Sequence, residues 1–437
     1  MKIEDKNSLA FVTDVTDDEI KAIDSLLSIK ADNYWFKKKG KFTNWDGIYH
    51  FYNKKHNCFP AGFIELFKSK YQNIQYIDNN VAPKTDRSKI LDSLRGYQKD
   101  AVLAALDKRR GLIELPTGSG KTFVISGLCS VIRDNVIIIV PNKNLLYQTI
   151  DVLKKNLNED IGICGDGNLK LKRITVGIYK SVAKLKKKDL DLFTSFIVDE
   201  AHHSSANTIF KLLLKSNAYY RFGVSADVLD QHKVKQDSKY KRARVVGSIG
   251  PVIFKDKPKD VLATAKIKVI ELDEEVTDIP YDQAYCKYLC NNQNLTDKVL
   301  ELCENHKNDA ILILVKHIHH GDAISKQLKL SHYWLHGSLD SKFINAKIAE
   351  FNAGKANIIL GSTIFNEGVD MPGIDVLINA AGDVAATKQR VGRGLRKKVN
   401  KPNEVIIYDF HIKGPNFTES HFKKRKRIYL HEGHTIE

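Results

Sequence analysis

Pro116-Thr-Gly-Ser-Gly-Lys-Thr122 is the segment whose residue types speak most directly of chemistry. Glycines leave backbone N–H groups free to wrap phosphate oxygens, and a helix starting just after them adds positive potential. Pro116, Thr117, Gly118, Ser119 and Gly120 are expected to line the phosphates. Lys121 has the reach for the β- and γ-phosphates, and the Thr122 hydroxyl is a ligand for Mg2+. The general phosphate-loop pattern asks for glycine where Leu115 stands, but the strand-loop-helix context favours the loop. Val198-Asp-Glu-Ala-His202 ends a second apolar run. An acidic pair in that place suits Asp199 to hold Mg2+ through water and Glu200 to position or deprotonate the attacking water. His202 is placed to link the nucleotide to the motif that follows. ATP and Mg2+ are the expected ligands, and Lys121, Asp199 and Glu200 the expected catalytic residues.

The elements that must position these residues read as a parallel α/β sheet, because short apolar runs alternate with helical stretches from Arg95 onward. Candidate strands are 111–115, 136–140, 174–178, 196–199 and 221–225. A second series has strands 310–315, 333–335, 358–362, 376–379 and 405–409, with helices near 321–328 and 342–353. The stretch 251–280 has weak periodicity and is expected to bridge two lobes. The first eighty residues differ: an acidic start gives way to a basic, aromatic block, Tyr34-Trp-Phe-Lys-Lys-Lys-Gly-Lys-Phe42, with Trp45 and Tyr49 beyond it. Turn signals at Gly40 and Asp46-Gly47 suggest short antiparallel strands. Residues 81–86 read as a linker. The expected organisation is an accessory domain at 1–82, a nucleotide-binding lobe at 83–258 and a second lobe at 259–437.

With both phosphate-site elements placed, the region from about Leu94 to Asp409 resembles the superfamily 2 helicases and translocases. Leu94-Arg-Gly-Tyr-Gln98 looks like their adenine-recognition motif, which implies that Arg95 and Gln98 contact the nucleotide, the Gln98 amide reading the adenine edge. Val140-Pro141 and the segment Thr175 to Ser181 resemble two nucleic-acid-contacting loops, so Pro141 and Ser181 are implied contacts. Gly223-Val-Ser-Ala-Asp227 stands in the place of the coupling motif; Ser225 is kept, whereas Asp227 replaces the usual threonine. Ile311-Leu-Ile-Leu-Val315 and His336-Gly337 resemble the fourth motif and its partner. Gly361-Ser-Thr-Ile-Phe-Asn-Glu-Gly-Val-Asp370 looks like the fifth motif, implying that Thr363 and Gly368 face nucleic acid and Asp370 the nucleotide. Gln389-Arg-Val-Gly-Arg-Gly-Leu-Arg396 matches the sixth, with Gln389 catalytic and Arg393 and Arg396 as arginine fingers on the γ-phosphate. The resemblance implies two tandem RecA-like parallel-sheet lobes with a small α+β accessory domain. Its DNA-directed branch is the more similar, above all the phage branch-migration and recombination helicases.

Composition supports a polyanion partner: 69 Lys and Arg against 52 Asp and Glu leave a net charge of +17. Lys37, Lys38 and Lys39, with Lys41, Lys54 and Lys55, can contact phosphates, while Trp35, Trp45 and Tyr49 have faces on which bases stack. Two more basic stretches, 232–244 and Lys423-Lys-Arg-Lys-Arg427, can be a DNA-contacting loop and a phosphate-binding tail or simple surface charge. Forked or branched DNA is the expected partner, bound by a monomer. No run approaches a membrane span and no secretory signal is visible, so a cytoplasmic protein is expected, nuclear in a eukaryote. Six cysteines include no Cys-x2-Cys pair; Cys286 and Cys290 can share a helix face, but reduced thiols are the expected state. Three functions remain in view: a DNA helicase or translocase, an RNA helicase or restriction-system motor, and an ATP-gated clamp that does not move.

Overall fold

Short runs of β-branched residues without charge, such as Val136-Ile-Ile-Ile-Val140, are hidden on both faces only when a parallel sheet carries helices on either side. The computed structural model has two such sheets. It describes residues 1–31, 45–71, 74–116, 118–226, 236–256, 264–366, 374–382, 404–431 and 433–437. Two compact units result, one comprising Met1–Pro116 and Gly120–Lys257 and the other built on Pro258–Glu437.

The first unit opens with a small sheet. β1 (Lys2–Lys6) pairs antiparallel with β2 (Leu9–Thr13), and β3 (Ser28–Lys30) pairs antiparallel with β4 (Ile48–His50). β5 (Cys58–Pro60) and β6 (Gln75–Asp78) complete the order β5-β2-β1-β6. Helix Asp17–Leu26 starts in a capping box, Thr16 with Glu19, and buries Ile23 among Phe59, Phe63 and Phe67.

This module is locked onto the parallel sheet behind it by a buried charge. Asp5 on β1 is 2% exposed and accepts from Arg110 at 2.5 Å, Arg109 at 3.1 Å and the Tyr76 hydroxyl at 2.8 Å. Arg109 also pairs with Asp78, bonds Asn7 and lies over the Tyr219 ring, while Asn7 donates to Asn217 O. On another side, Tyr49 stacks on Tyr240 with centroids 3.7 Å apart, and Gly62 lies so close to the helix Gln236–Ile249 that a Cβ there would stand 1.9 Å from Val246 O. The stretch read as a linker is tied down as well, through Lys84 N to Asp134 and Asp86 N to Val131 O.

The first large sheet follows, parallel except for the antiparallel edge strand Asn168–Lys170. Its strands are β7 (Arg110–Glu114), β8 (Val136–Val140), β9 (Gly162–Gly165), β10 (Asn168–Lys170), β11 (Ile174–Ile178), β12 (Ser195–Asp199), β13 (Tyr220–Ser225) and β14 (Val252–Lys255), in the order β10-β9-β11-β8-β12-β13-β7-β14. Helices Gly96–Lys108, Lys121–Val131 and Lys143–Leu157 close one face; Asn207–Lys215 and Gln236–Ile249 close the other. The second unit holds β15 (Thr264–Asp273), β16 (Ile311–Leu314), β17 (His332–Leu335), β18 (Ile358–Gly361), β19 (Val376–Asn379), β20 (Glu404–Lys413) and β21 (Thr435–Ile436). All are parallel, ordered β17-β18-β16-β19-β20-β15-β21.

Three expectations are corrected. The stretch 251–280 is not simply a bridge: it supplies β14 to one sheet and β15 to the other, the latter with Ala265 and Ile267 buried between lysines. The described part of the 232–244 stretch is helical, and Arg244 bonds Ser205 O at 3.0 Å while lying over the Tyr240 ring. In the basic run 423–427, Arg425 is on the buried face of helix Asn416–His431, donating to Asp409 at 2.9 Å and Phe410 O at 2.8 Å. Its charge serves the core; Lys423, Lys424, Lys426 and Arg427 are exposed.

Asp5→Ala strands the buried Arg110 guanidinium without its carboxylate. The expected cost is roughly 3–5 kcal/mol, read from urea unfolding of the full chain; a loss under about 1 kcal/mol would show that the network is not what holds the module.

Candidate nucleotide site

Strands β12, β13 and β7 are paired in parallel register, Asp199 opposite Val224 and Ser225 opposite Glu114. Their C-terminal ends therefore fall along one edge of the sheet, which is where an open α/β sheet binds ligands. From the end of β7 the chain turns through Pro116 into the loop and directly into helix Lys121–Val131. Gly118 and Gly120 adopt left-handed backbone, with φ of +85° and +79°, a conformation that side chains disfavour. A Cβ on Gly120 would also lie 2.7 Å from Gln98 Nε2.

That proximity shows where the Gln98 amide sits. It is 3% exposed, its oxygen accepts the Arg95 backbone N–H at 2.9 Å, and Nε2 lies 3.5 Å from Gly120 O. Arg95 itself caps helix Gly96–Lys108 and reaches the Tyr97 hydroxyl at 3.4 Å. Thr122 stands in the first turn of the next helix, its carbonyl accepting from Ser126 at 3.0 Å.

Across the strand edge, Glu200 occupies left-handed backbone at φ 50°, a strained setting for a residue with a side chain. Its N–H donates to Asp199 Oδ1 at 3.0 Å, and its carboxylate lies 3.9 Å from Lys121 Nζ. Ser225 donates to Glu200 at 3.5 Å, and His202 Nδ1 lies 3.1 Å from the Ser225 hydroxyl and 3.4 Å from the Glu200 carboxylate. Glu200, His202 and Ser225 thus form one polar triangle joining the ends of β12 and β13. Burial, then the neighbouring Glu200 charge, push the Asp199 carboxyl up to about 6, with Lys121 pulling the other way. Hard oxygen donors of this kind suit a cation such as Mg2+.

Gly223, which opens the coupling-motif segment, has a packing role that the motif does not carry. A Cβ there would meet both Ala201 and Leu112 at 2.7 Å, so glycine is what lets the acidic turn pack against β13. Its signal was a glycine inside a buried strand. Of the expected nucleic-acid contacts, Pro141 and Ser181 follow neighbouring strands whose last residues, Val140 and Ile178, are paired, so both lie along that same edge. Thr363 is exposed immediately after β18 in the second unit. Trp45 and Tyr49 are occupied within the protein: the indole donates to Ile48 O at 2.9 Å, and the Tyr49 ring is stacked. Lys54 pairs with Asp24 at 2.8 Å. Thr117, Asp227, Gly368, Asp370, Gln389, Arg393 and Arg396 lie outside the described residues, as do Trp35, Lys37, Lys38, Lys39 and Lys41.

A glycine-rich loop feeding a helix, facing an acidic pair at the end of a parallel strand, defines an ATPase of the RecA-like class. Residues 91–228 match the family described as type III restriction enzyme, res subunit, and residues 294–398 match the helicase conserved C-terminal domain. The chain is 27% identical to the DNA 3'-5' translocase XPB2 of Sulfurisphaera tokodaii, over 74% of this chain and 82% of that one. It is 24% identical to the ATP-dependent DNA helicase uvsW of Enterobacteria phage T4, over 92% of this chain and 89% of that one. The Saccharomyces cerevisiae Dbp5 structure bound to RNA and ADP BeF3 shares the fold, with a TM-score of 0.56 at 16% identity over 78% of this chain and 89% of that one. The chain belongs to the superfamily 2 helicases and is an ATP-dependent enzyme. No helix among its described residues is long and apolar enough to cross a membrane.

Asp199 gives a pH signature with a definite sign. A carboxyl raised from 3.8 to about 6 on folding keeps its proton better in the folded chain. Stability is therefore lost as pH climbs through that window, by about 3 kcal/mol once it is passed. Asp199→Asn, free of nucleotide and metal, should resist urea better than wild type at pH 7.5 by roughly 1–3 kcal/mol, with the gap closing near pH 4. Equal stability at pH 7.5 would contradict this account of the site.

Proposed function

We propose that the protein is an ATP-driven DNA translocase that remodels forks and four-way junctions. What carries the reading is the likeness to the phage T4 DNA helicase uvsW, which spans 92% of this chain rather than the motor lobes alone. Gly118 and Gly120 offer backbone amides to phosphate oxygens, and Gln98 reads the adenine edge. Lys121 faces two partners, since the ammonium now 3.9 Å from Glu200 is also the one in reach of the β- and γ-phosphates. Its transfer to phosphate leaves Glu200 free to take a proton from the attacking water. Mg2+ held by Thr122 and Asp199 supplies charge neutralisation at the phosphates. Asp370 contacts the nucleotide, and Gln389, Arg393 and Arg396 stabilise the γ-phosphate as it leaves, on the resemblance of their motifs. The Glu200–Ser225–His202 triangle transmits the state of that phosphate to β13. Pro141, Ser181, Thr363 and Gly368 grip the tracked strand, and Lys37, Lys38 and Lys39 add contacts to duplex phosphates.

Purified Lys121→Ala and Glu200→Gln proteins are expected to lose DNA-stimulated ATP hydrolysis by about 10^2–10^4-fold. Wild-type turnover in either would remove the site. ATPase and strand-remodelling assays on single-stranded, duplex, forked and four-way DNA and on RNA test the function. Product from forks and junctions supports the proposal, stimulation by RNA alone makes the protein an RNA helicase, and stimulated ATPase without product makes it a clamp. Replacing Lys37, Lys38 and Lys39 together with alanine should weaken fork binding and lower the salt slope by up to about 3, roughly one unit per phosphate contact. An unchanged slope would take those lysines off the DNA.

A further inference from the structure

The second unit holds a cluster that the motor does not use. Helix Tyr281–Tyr285 runs into a π-helical turn, Cys286–Cys290, in which Asn291 N donates to Cys286 O at 2.8 Å. Such widened turns recur at functional positions in helices. The turn puts both of its cysteines beside His319, in the first turn of helix Ile318–Gln327. Cys286 Sγ and His319 Nε2 are 4.0 Å apart, and the ligand atoms of all three residues lie within 4.8 Å of one another. Among the described residues this is the one such group of three.

We propose that Cys286, Cys290 and His319 form a binding site for a thiophilic divalent cation of the zinc class, with a fourth position left to water or an outside donor. The donor set decides the metal: two thiolates and an imidazole suit Zn2+ and reject Mg2+ and Ca2+. Tetrahedral bonds of about 2.3 Å to sulfur and 2.0 Å to nitrogen place ligand atoms about 3.5–3.8 Å apart. The observed spacing therefore asks for a contraction of about 1.3 Å at most, within reach of a half-buried cysteine and an exposed histidine. A bound cation would take the place of the thiol protons, as it does wherever a coordinating thiol loses its proton to a metal.

The position gives the cation a mechanical role. Tyr285 bonds Ala381 O, and Leu289 packs so tightly on Gly382 that a Cβ there would lie 2.6 Å from Leu289 Cδ2. Residue 382 immediately precedes the stretch that carries Gln389, Arg393 and Arg396. Binding would staple the helix that follows β16 to the turn that packs on Ala381 and Gly382.

The test is Co2+ titration of the full-length, reduced, chelator-stripped protein, with visible and near-ultraviolet absorption as the readout. One equivalent should give tetrahedral d–d bands with a thiolate charge-transfer band, and Zn2+ should displace both. Cys286→Ser and His319→Gln, each at a site tolerant of the change, should weaken Co2+ binding by at least about 10-fold, the least loss that even outer-shell changes bring. Cys58→Ala, in the other unit and not a member of the cluster, should leave the spectrum alone. No charge-transfer band in wild type, a band that survives in both variants, or a Cys286–Cys290 disulfide in the protein before reduction would each overturn the proposal.

Discussion

Parallel strands all finish on the same side of their sheet, and the nucleotide site depends on that constraint. Register does the positioning: with Asp199 opposite Val224 and Ser225 opposite Glu114, three separate strand ends deliver a phosphate loop, an acidic pair and a serine to one line. A one-residue slip would turn every side chain on a strand to the other face and move Asp199 away from the loop. The burial of those strands on both faces is what forbids the slip. Core packing and catalytic geometry are in this sense the same fact seen from two sides.

Charge is arranged on the same economy. Asp199 is held in a place that disfavours its ionised form, a cost that positive charge offsets, and Glu200 sits in strained backbone. Lys121 is the single ammonium shared between the two conditions. Elsewhere the basic excess divides between work and structure: Arg110, Arg221 and Arg425 are buried. Arg221 serves only carbonyls and a serine, bonding Leu213 O at 2.6 Å and Ser216 O at 2.7 Å. Net charge therefore overstates the number of cations available to DNA.

Most of both parallel sheets was legible in the sequence, because doubly buried strands are apolar throughout and need no partner to be recognised. Strands 136–140, 174–178 and 376–379 keep their expected bounds. Gln98, Lys121, Asp199, Glu200 and Ser225 lie together because their motifs sit at strand ends and helix starts, where local sequence dictates position. What escaped were elements defined by distant partners. Lys2-Ile-Glu-Asp-Lys6 looks like a solvated tail, yet it is a strand with a buried aspartate, since its counter-charges arrive from residues 109 and 110. The basic stretch after residue 235 looks like a loop, but it forms a helix because the module's aromatic face waits for it. His319 lies 33 positions from Cys286, so no spacing rule could join them.

The docking of the N-terminal module sets a schedule for synthesis. Its strand β1 is made first, but the arginines that neutralise Asp5 follow 104 and 105 positions later, and Asn217 comes 210 positions after Asn7. At about 5–20 residues per second, Asn7 waits roughly 10–40 s on the ribosome before Asn217 is added. During that wait a carboxylate destined for the interior stays hydrated and the apolar face around Phe63 stays uncovered. A module made before its partners is thus completed only after them, and nascent-chain chaperones have a defined window in which to act on it.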